Sequence, residues 1–118
     1  MSRILVIEDD QRIRELVCKH LAEEGHLVTS RSSGLEGLRA ITEAEPEVLI
    51  LDLGLPDLDG LDLLKMARSV TEIPVLVLTA REDEDTILKA FSVGADDYVV
   101  KPVSGPQLSA RVEALMRR

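Results

Sequence analysis

Four short apolar runs in this chain of 118 residues end in residues able to do chemistry. The run ILVI at 4–7 is followed by Glu8, Asp9 and Asp10, and VLIL at 48–51 by Asp52. VLVL at 75–78 leads to Thr79 and Ala80, and YVV at 98–100 to Lys101 and Pro102. If these runs are parallel strands of one sheet, the residues after them share its carboxyl edge, where open α/β folds bind ligands. Carboxylates crowded at low dielectric repel one another, so either their pKa values rise or a cation neutralises them. An all-oxygen donor set suits a hard divalent ion, and Mg2+ is the natural candidate beside phosphate oxygens. Lys101 would offset charge on an incoming phosphoryl group, while the Thr79 hydroxyl and the Ala80 N–H could meet its oxygens. Asp52, at the centre, is then placed as the nucleophile, because a carboxylate can form an acyl phosphate.

Taken singly, these residues have plainer readings. Asp10, and Asp9 by itself, read as helix caps. Lys101 alone reads as a solvated lysine and Thr79 as a turn former. The agreement of four strand ends favours the chemical reading. Asp57 to Asp59 lie beyond Pro56, and a turn leading into a helix at Gly60 is the expectation there.

The elements that must position these groups alternate along the chain. The apolar runs are continuous, as in strands buried on both faces, and LVT at 27–29 reads as a more exposed strand. Between them lie helical patterns. Residues 11–24 set Ile13, Leu16, Val17 and Leu21 on one face, with Gly25 as the stop. Residues 34–44 follow Ser33, with Glu36 completing a capping box. Helices are expected at 60–69 and 83–93, and a last one from Ser104, with Gln107 in a second capping box and Leu108, Val112 and Leu115 as its stripe. Five βα units with right-handed crossovers predict a doubly wound α/β domain, for which the flavodoxin-like order 2-1-3-4-5 is a possibility that the pattern alone does not prove. That order makes the first and third strands neighbours and brings Asp9 close to Asp52.

Composition bounds the rest. Hydrophobic residues make up 45% of the chain, and Tyr98 and Phe91 are the only aromatics, so the core must be aliphatic. A net charge of −8 argues against binding nucleic acid or an anionic membrane through this piece. Cys18 is the single cysteine, so no intrachain disulfide can form, which fits the cytoplasm. No apolar run approaches the ~20 residues of a membrane span.

ILVIEDD, LILDLGLPDLDG, PVLVLTA, GADDYVVKP and the final amphipathic stretch together closely resemble the receiver domains of bacterial two-component response regulators, over essentially the whole chain. The last two stretches look like the winged-helix transcription-factor branch, often called OmpR/PhoB-type. The resemblance implies one CheY-like receiver domain over 1–118, the N-terminal part of a longer regulator whose DNA-binding domain lies outside this chain; Arg117–Arg118 reads as the start of a linker. It implies that Asp52 accepts a phosphoryl group from a sensor histidine kinase. Asp9, Asp52 and the Gly54 backbone carbonyl would ligate Mg2+, with Glu8 acting through a metal-bound water. Thr79 and Lys101 would contact the phosphoryl group, Thr79 and Tyr98 would form the switch, and the Lys101–Pro102 bond would be cis.

In that branch, active domains form homodimers through the fourth helix, fifth strand and fifth helix. Lys89, Asp96, Asp97 and Arg111 match charged positions of that face. Ile87 and Gln107 stand where the family often has a basic and an acidic residue, so one cross-dimer ion pair is missing. Val103 replaces the usual Phe and should alter packing more than chemistry.

Three rival readings differ by class. A Mg2+-dependent aspartyl phosphohydrolase usually carries a second Asp two residues after the nucleophile, where Gly54 stands here; self-dephosphorylation tuned by Gly54 and Arg81 is the most expected. A flavin binder needs a phosphate-cradling loop where Glu8, Asp9 and Asp10 lie. A stand-alone receiver would act by protein docking.

Overall fold

The structure, a computed structural model, describes residues 2–117. Five strands and five helices alternate: β1 (Arg3–Ile7), α1 (Gln11–Glu23), β2 (Leu27–Arg31), α2 (Gly34–Glu43), β3 (Val48–Leu51), α3 (Gly60–Val70), β4 (Val75–Thr79), α4 (Glu84–Val93), β5 (Asp97–Val100) and α5 (Gly105–Met116). Met1 and Arg118 lie outside the described residues. The sheet is parallel, as the alternating pattern predicts, and its order β2-β1-β3-β4-β5 is the flavodoxin-like one.

The continuous apolar runs are explained by two core layers. Leu5 and Ile7 of β1 face Leu63, Leu64 and Ala90, from α3 and α4, on one side of the sheet. Ile4 and Val6 face Leu21, Val112 and Leu115, from α1 and α5, on the other. Every residue of β3 and β4 is buried, so alternation between polar and apolar positions has no role there. Each such fully buried Leu or Ile contributes roughly 2 kcal/mol of transfer free energy.

One expectation from helical periodicity fails. Leu16 does not join the buried face of α1; it is 62% exposed, whereas Val17 and Leu21 are buried. Leu16 edges a groove between α1 and α5, and its position at the margin of the apolar stripe makes the difference.

Helix starts are fixed by side chains. Asp10 caps α1 by accepting from the Ile13 N–H, Asp59 caps α3, and Asp83 caps α4. Ser33 accepts from the Glu36 N–H at 3.2 Å, and its hydroxyl donates to the Glu36 carboxylate at 3.0 Å. Ser104 accepts from the Gln107 N–H at 3.2 Å.

The amino edge of the sheet is held by Arg68 of α3. Its guanidinium donates to the carbonyls of Gly94 and Ile73 and pairs with Asp96 at 2.6 Å. Asp96 in turn accepts from the Val75 N–H at 2.8 Å. Arg68→Ala removes the donors to both carbonyls and is expected to lower stability by about 2 kcal/mol, read as a shift in the urea midpoint.

Candidate functional site

Register places the chemical groups. Ile7 pairs with Leu51, so Glu8 and Asp52 leave adjacent strands at the same level. The Asp52 N–H donates to the Ile7 carbonyl at 3.0 Å, which carries the ladder one step further and holds the Asp52 backbone against β1. Thr79 pairs with Val100, and the Lys101 N–H reaches back to the Thr79 carbonyl at 2.8 Å. The Lys101–Pro102 peptide is cis, as the family resemblance implies.

These strand ends line one cleft of about 340 Å3. Glu8, Asp9, Asp52, Gly54, Thr79 and Lys101 all contribute to its wall, together with Ala80 and Arg81. Lys101 is neither free nor solvated: its side chain is 14% exposed, and its ammonium lies 2.5 Å from Glu8 and 3.2 Å from Asp52. Asp52 also accepts from the Gly54 N–H at 3.1 Å. The second oxygen of Glu8 accepts from the Asp10 N–H at 3.2 Å, so the carboxyl is held from both sides.

Electrostatics separates the two buried carboxyls. Burial pushes the Glu8 carboxyl up to about 7, with help from the neighbouring Asp52 and against the pull of Lys101. Burial acts on Asp52 in the same direction, but the Gly54 N–H, Glu8, the Lys101 ammonium and the Thr79 hydroxyl outweigh it and hold Asp52 below the usual range. Burial alone would lower Lys101; its contacts with Glu8 and Asp52 overcome that and hold it above the ordinary lysine value. The site therefore contains an anionic Asp52, a cationic Lys101 and a Glu8 that titrates near neutrality.

The donor set fits a divalent cation. Glu8, Asp9 and Asp52 each offer a carboxylate oxygen, and these atoms lie within 4.8 Å of one another. All are hard oxygen donors, and with Asp9 exposed at the mouth the set is open to water, as Mg2+ prefers.

Tyr98 does not line the cleft. Its hydroxyl donates to the Arg81 carbonyl at 2.8 Å, and its ring centroid is 6.4 Å from that of Phe91. The Arg81 N–H approaches the Thr79 hydroxyl at 3.4 Å, so a single peptide segment joins Thr79 to Tyr98. Arg81 is further tied by its guanidinium to the buried Thr86 hydroxyl at 2.7 Å, and that hydroxyl donates to Asp83 at 2.6 Å.

The residues assigned to a dimer face are also apart from the cleft, and each has a partner within the chain. Arg111 pairs with Asp97 at 3.0 Å, Lys89 with Asp85 at 2.9 Å, and Asp96 with Arg68. Ile87 and Gln107 stand on α4 and α5.

Asp57 departs from the expectation of a simple turn. Its two oxygens accept from the Gly34 and Leu35 N–H groups at 2.9 and 3.0 Å, so it caps the start of α2 from the loop after β3. No local signal announces this, because the partner lies far back in the chain.

Comparison with known proteins is consistent throughout. The family described as "Response regulator receiver domain" matches residues 4–113. The transcriptional regulatory protein AfsQ1 of Streptomyces coelicolor is 41% identical over 118 residues, covering 100% of this chain and 52% of that protein. The virulence transcriptional regulatory protein PhoP of Salmonella typhimurium is 44% identical over 119 residues, covering 100% of this chain and 53% of that protein. The chain thus spans about half the length of these relatives. A two-component response regulator from Clostridium difficile superposes with a TM-score of 0.97 at 30% identity, covering 100% of this chain and 98% of the other.

Proposed function

This chain belongs to the response regulator receiver domain family, and from that premise we propose that Asp52 is a phosphoacceptor whose modification switches the domain. The observation that carries the reading is the pairing of a buried, anionic Asp52 with Lys101 on a cleft also walled by Thr79. An oxygen of Asp52 forms the new O–P bond as the bond from phosphorus to the donor breaks. Lys101 and the Thr79 hydroxyl take the phosphoryl oxygens, offsetting charge that Asp52 alone would repel. Glu8, Asp9, Asp52 and the Gly54 carbonyl are the residues that would hold Mg2+, Glu8 through a water. Bound there, the cation supplies charge neutralisation for the transferring group.

The donor is a sensor histidine kinase in the cytoplasm, as for two-component regulators generally. Phosphorylation draws Thr79 toward the new anion, and the Arg81 segment passes that movement to Tyr98. The output is homodimerisation through α4, β5 and α5, with Lys89, Asp96, Asp97 and Arg111 on that face, coupled to DNA binding by a further domain. No helix among the described residues is long and apolar enough to cross a membrane.

Hydrolysis by the domain is limited to slow loss of its own phosphate. Gly54, where an aspartyl phosphohydrolase would carry its acid, supports that restriction. Intact-mass measurement with acetyl phosphate and Mg2+ tests the reading: the wild-type chain gains one phosphate, and no gain sinks it.

The titration of Glu8 adds a pH dependence. Its folded-state value lies above its ordinary value of 4.5, so the folded protein binds more protons between pH 4.5 and about 7. Stability from this group is therefore complete below that window and falls as pH rises through it, by about 3 kcal/mol at most. Proton and cation compete for the same carboxyl, so added Mg2+ should raise the melting temperature more at pH 8 than at pH 5.5. An equal rise at both pH values would remove Glu8 from the cation site.

A further inference from the structure

We propose that Asp57 is a positioning residue of the phosphoacceptor site: it fastens the loop carrying Gly54 to the start of α2, so that cation binding and order at that helix end are coupled. The inference rests on the reading of Asp52 and Gly54 given above.

Residues 53–59 connect Asp52 to α3. Leu53 and Leu55 are buried, and Gly54 is exposed between them. The stretch from Gly54 to Asp57 is stiff for local reasons. Pro56 has a fixed φ, and Leu55, preceding a proline, is restricted to extended conformations. An anchor at Asp57 is thus transmitted to Gly54 with little slack.

That anchor is strong for an exposed side chain. Both Asp57 oxygens are used, one on the Gly34 N–H and one on the Leu35 N–H. Ser33 takes the next N–H, that of Glu36, with its hydroxyl, and its carbonyl takes the Gly37 N–H. The four leading N–H groups of α2 are therefore all partnered, two locally and two by a residue from the site loop. Contact reinforces the link: a Cβ on Gly34 would lie 2.8 Å from Leu58 Cδ1, so the helix end packs directly on the loop. The same two N–H groups hold the Asp57 carboxyl below its ordinary range, in keeping with a fixed anion. Coupling between two binding equilibria is reciprocal, so a loop ordered by a cation must in turn steady the cap.

The test compares wild type, Asp57→Ala, Asp57→Asn and Arg68→Ala. Mg2+ is titrated by thermal shift, acetyl-phosphate labelling is followed by intact mass across Mg2+ concentrations, and amide exchange is read at Gly34 and Leu35. Asp57→Ala should raise the Mg2+ concentration for half-maximal effect by about tenfold, the low end for partners that orient metal ligands. Its labelling at saturating Mg2+ should match wild type. Asp57→Asn keeps one carbonyl acceptor and should fall between. Arg68→Ala lowers stability from the opposite edge of the sheet and should leave the Mg2+ half-point unmoved. In wild type, Mg2+ should slow exchange at Gly34 and Leu35; in Asp57→Ala it should not. An unmoved Mg2+ half-point in Asp57→Ala, or an equal shift in Arg68→Ala, overturns the proposal and leaves Asp57 a helix cap alone. A wild-type chain that takes no phosphoryl group overturns the reading of Asp52 instead, while the Mg2+ and exchange measurements still decide the coupling.

Discussion

Asp52→Asn is expected to gain no phosphate in intact mass under conditions expected to label the wild-type chain. A carboxamide offers no anionic oxygen to phosphorus, so the loss is complete rather than graded. The fold should survive, because the Asn carbonyl can still accept from the Gly54 N–H that now binds Asp52 at 3.1 Å. Removing the Asp52 charge also removes one of the causes that raise Glu8, so Lys101 is left to a Glu8 that ionises more readily. The lost Lys101–Asp52 contact opposes that gain, so metal-free stability should change little. The two readouts should move independently: labelling is lost while the melting temperature changes little. A variant that labels at a rate comparable with wild type would place the acceptor elsewhere.

Lys101→Met produces the largest loss of stability expected at the site. The Lys101, Glu8 and Asp52 side chains are only 14, 4 and 8% exposed, so the variant strands two carboxyls with no cation between them. Breaking a buried ion pair from one side typically costs about 3 kcal/mol or more. The expected loss is of that size at pH 8, measured by chemical denaturation without metal. Its pH dependence has a definite sign. Lys101 is held above its ordinary value of 10.5, so its own charge is constant below that. In the variant, Glu8 loses the ammonium that opposed its upward shift, so it takes a proton more readily. The difference between the two proteins should shrink as pH falls toward about 7, and Glu8 adds no further change below that, where it is protonated in both. Added Mg2+ should recover part of the loss at pH 8, since a cation can neutralise the same carboxyls. A difference that is flat with pH and indifferent to Mg2+ would mean that Lys101 acts through packing alone.

Much of this site is legible from the chain because its parts are attached to strand ends. A buried parallel strand shows as an unbroken apolar run, and the residue after it is fixed at the sheet's carboxyl edge by register. Glu8, Asp52 and Thr79 are therefore located almost as soon as VLIL and its companions are recognised. What escaped has a common physical cause. The capping of α2 by Asp57 joins residues 23 positions apart through backbone N–H groups, and nothing in local spacing encodes it. Leu16 matches the period of α1 but sits at the rim of the apolar stripe, where a shift of one residue decides exposure. The clasp of Arg68 on Gly94 and Ile73 depends on two turns meeting at the amino edge, which only the assembled sheet brings together.

The Asp97–Arg111 pair closes within a single chain. An ion pair already made contributes little when a second copy offers the same partners, because one contact is exchanged for its equivalent. Association through this face would draw its strength from desolvating apolar surface such as the half-exposed Phe91 beside Tyr98. The charges would then act as a filter, since a mismatched homologue has to give up its own satisfied pair without receiving one in return. A cell holding many such regulators could keep their partnerships separate at almost no expense in affinity.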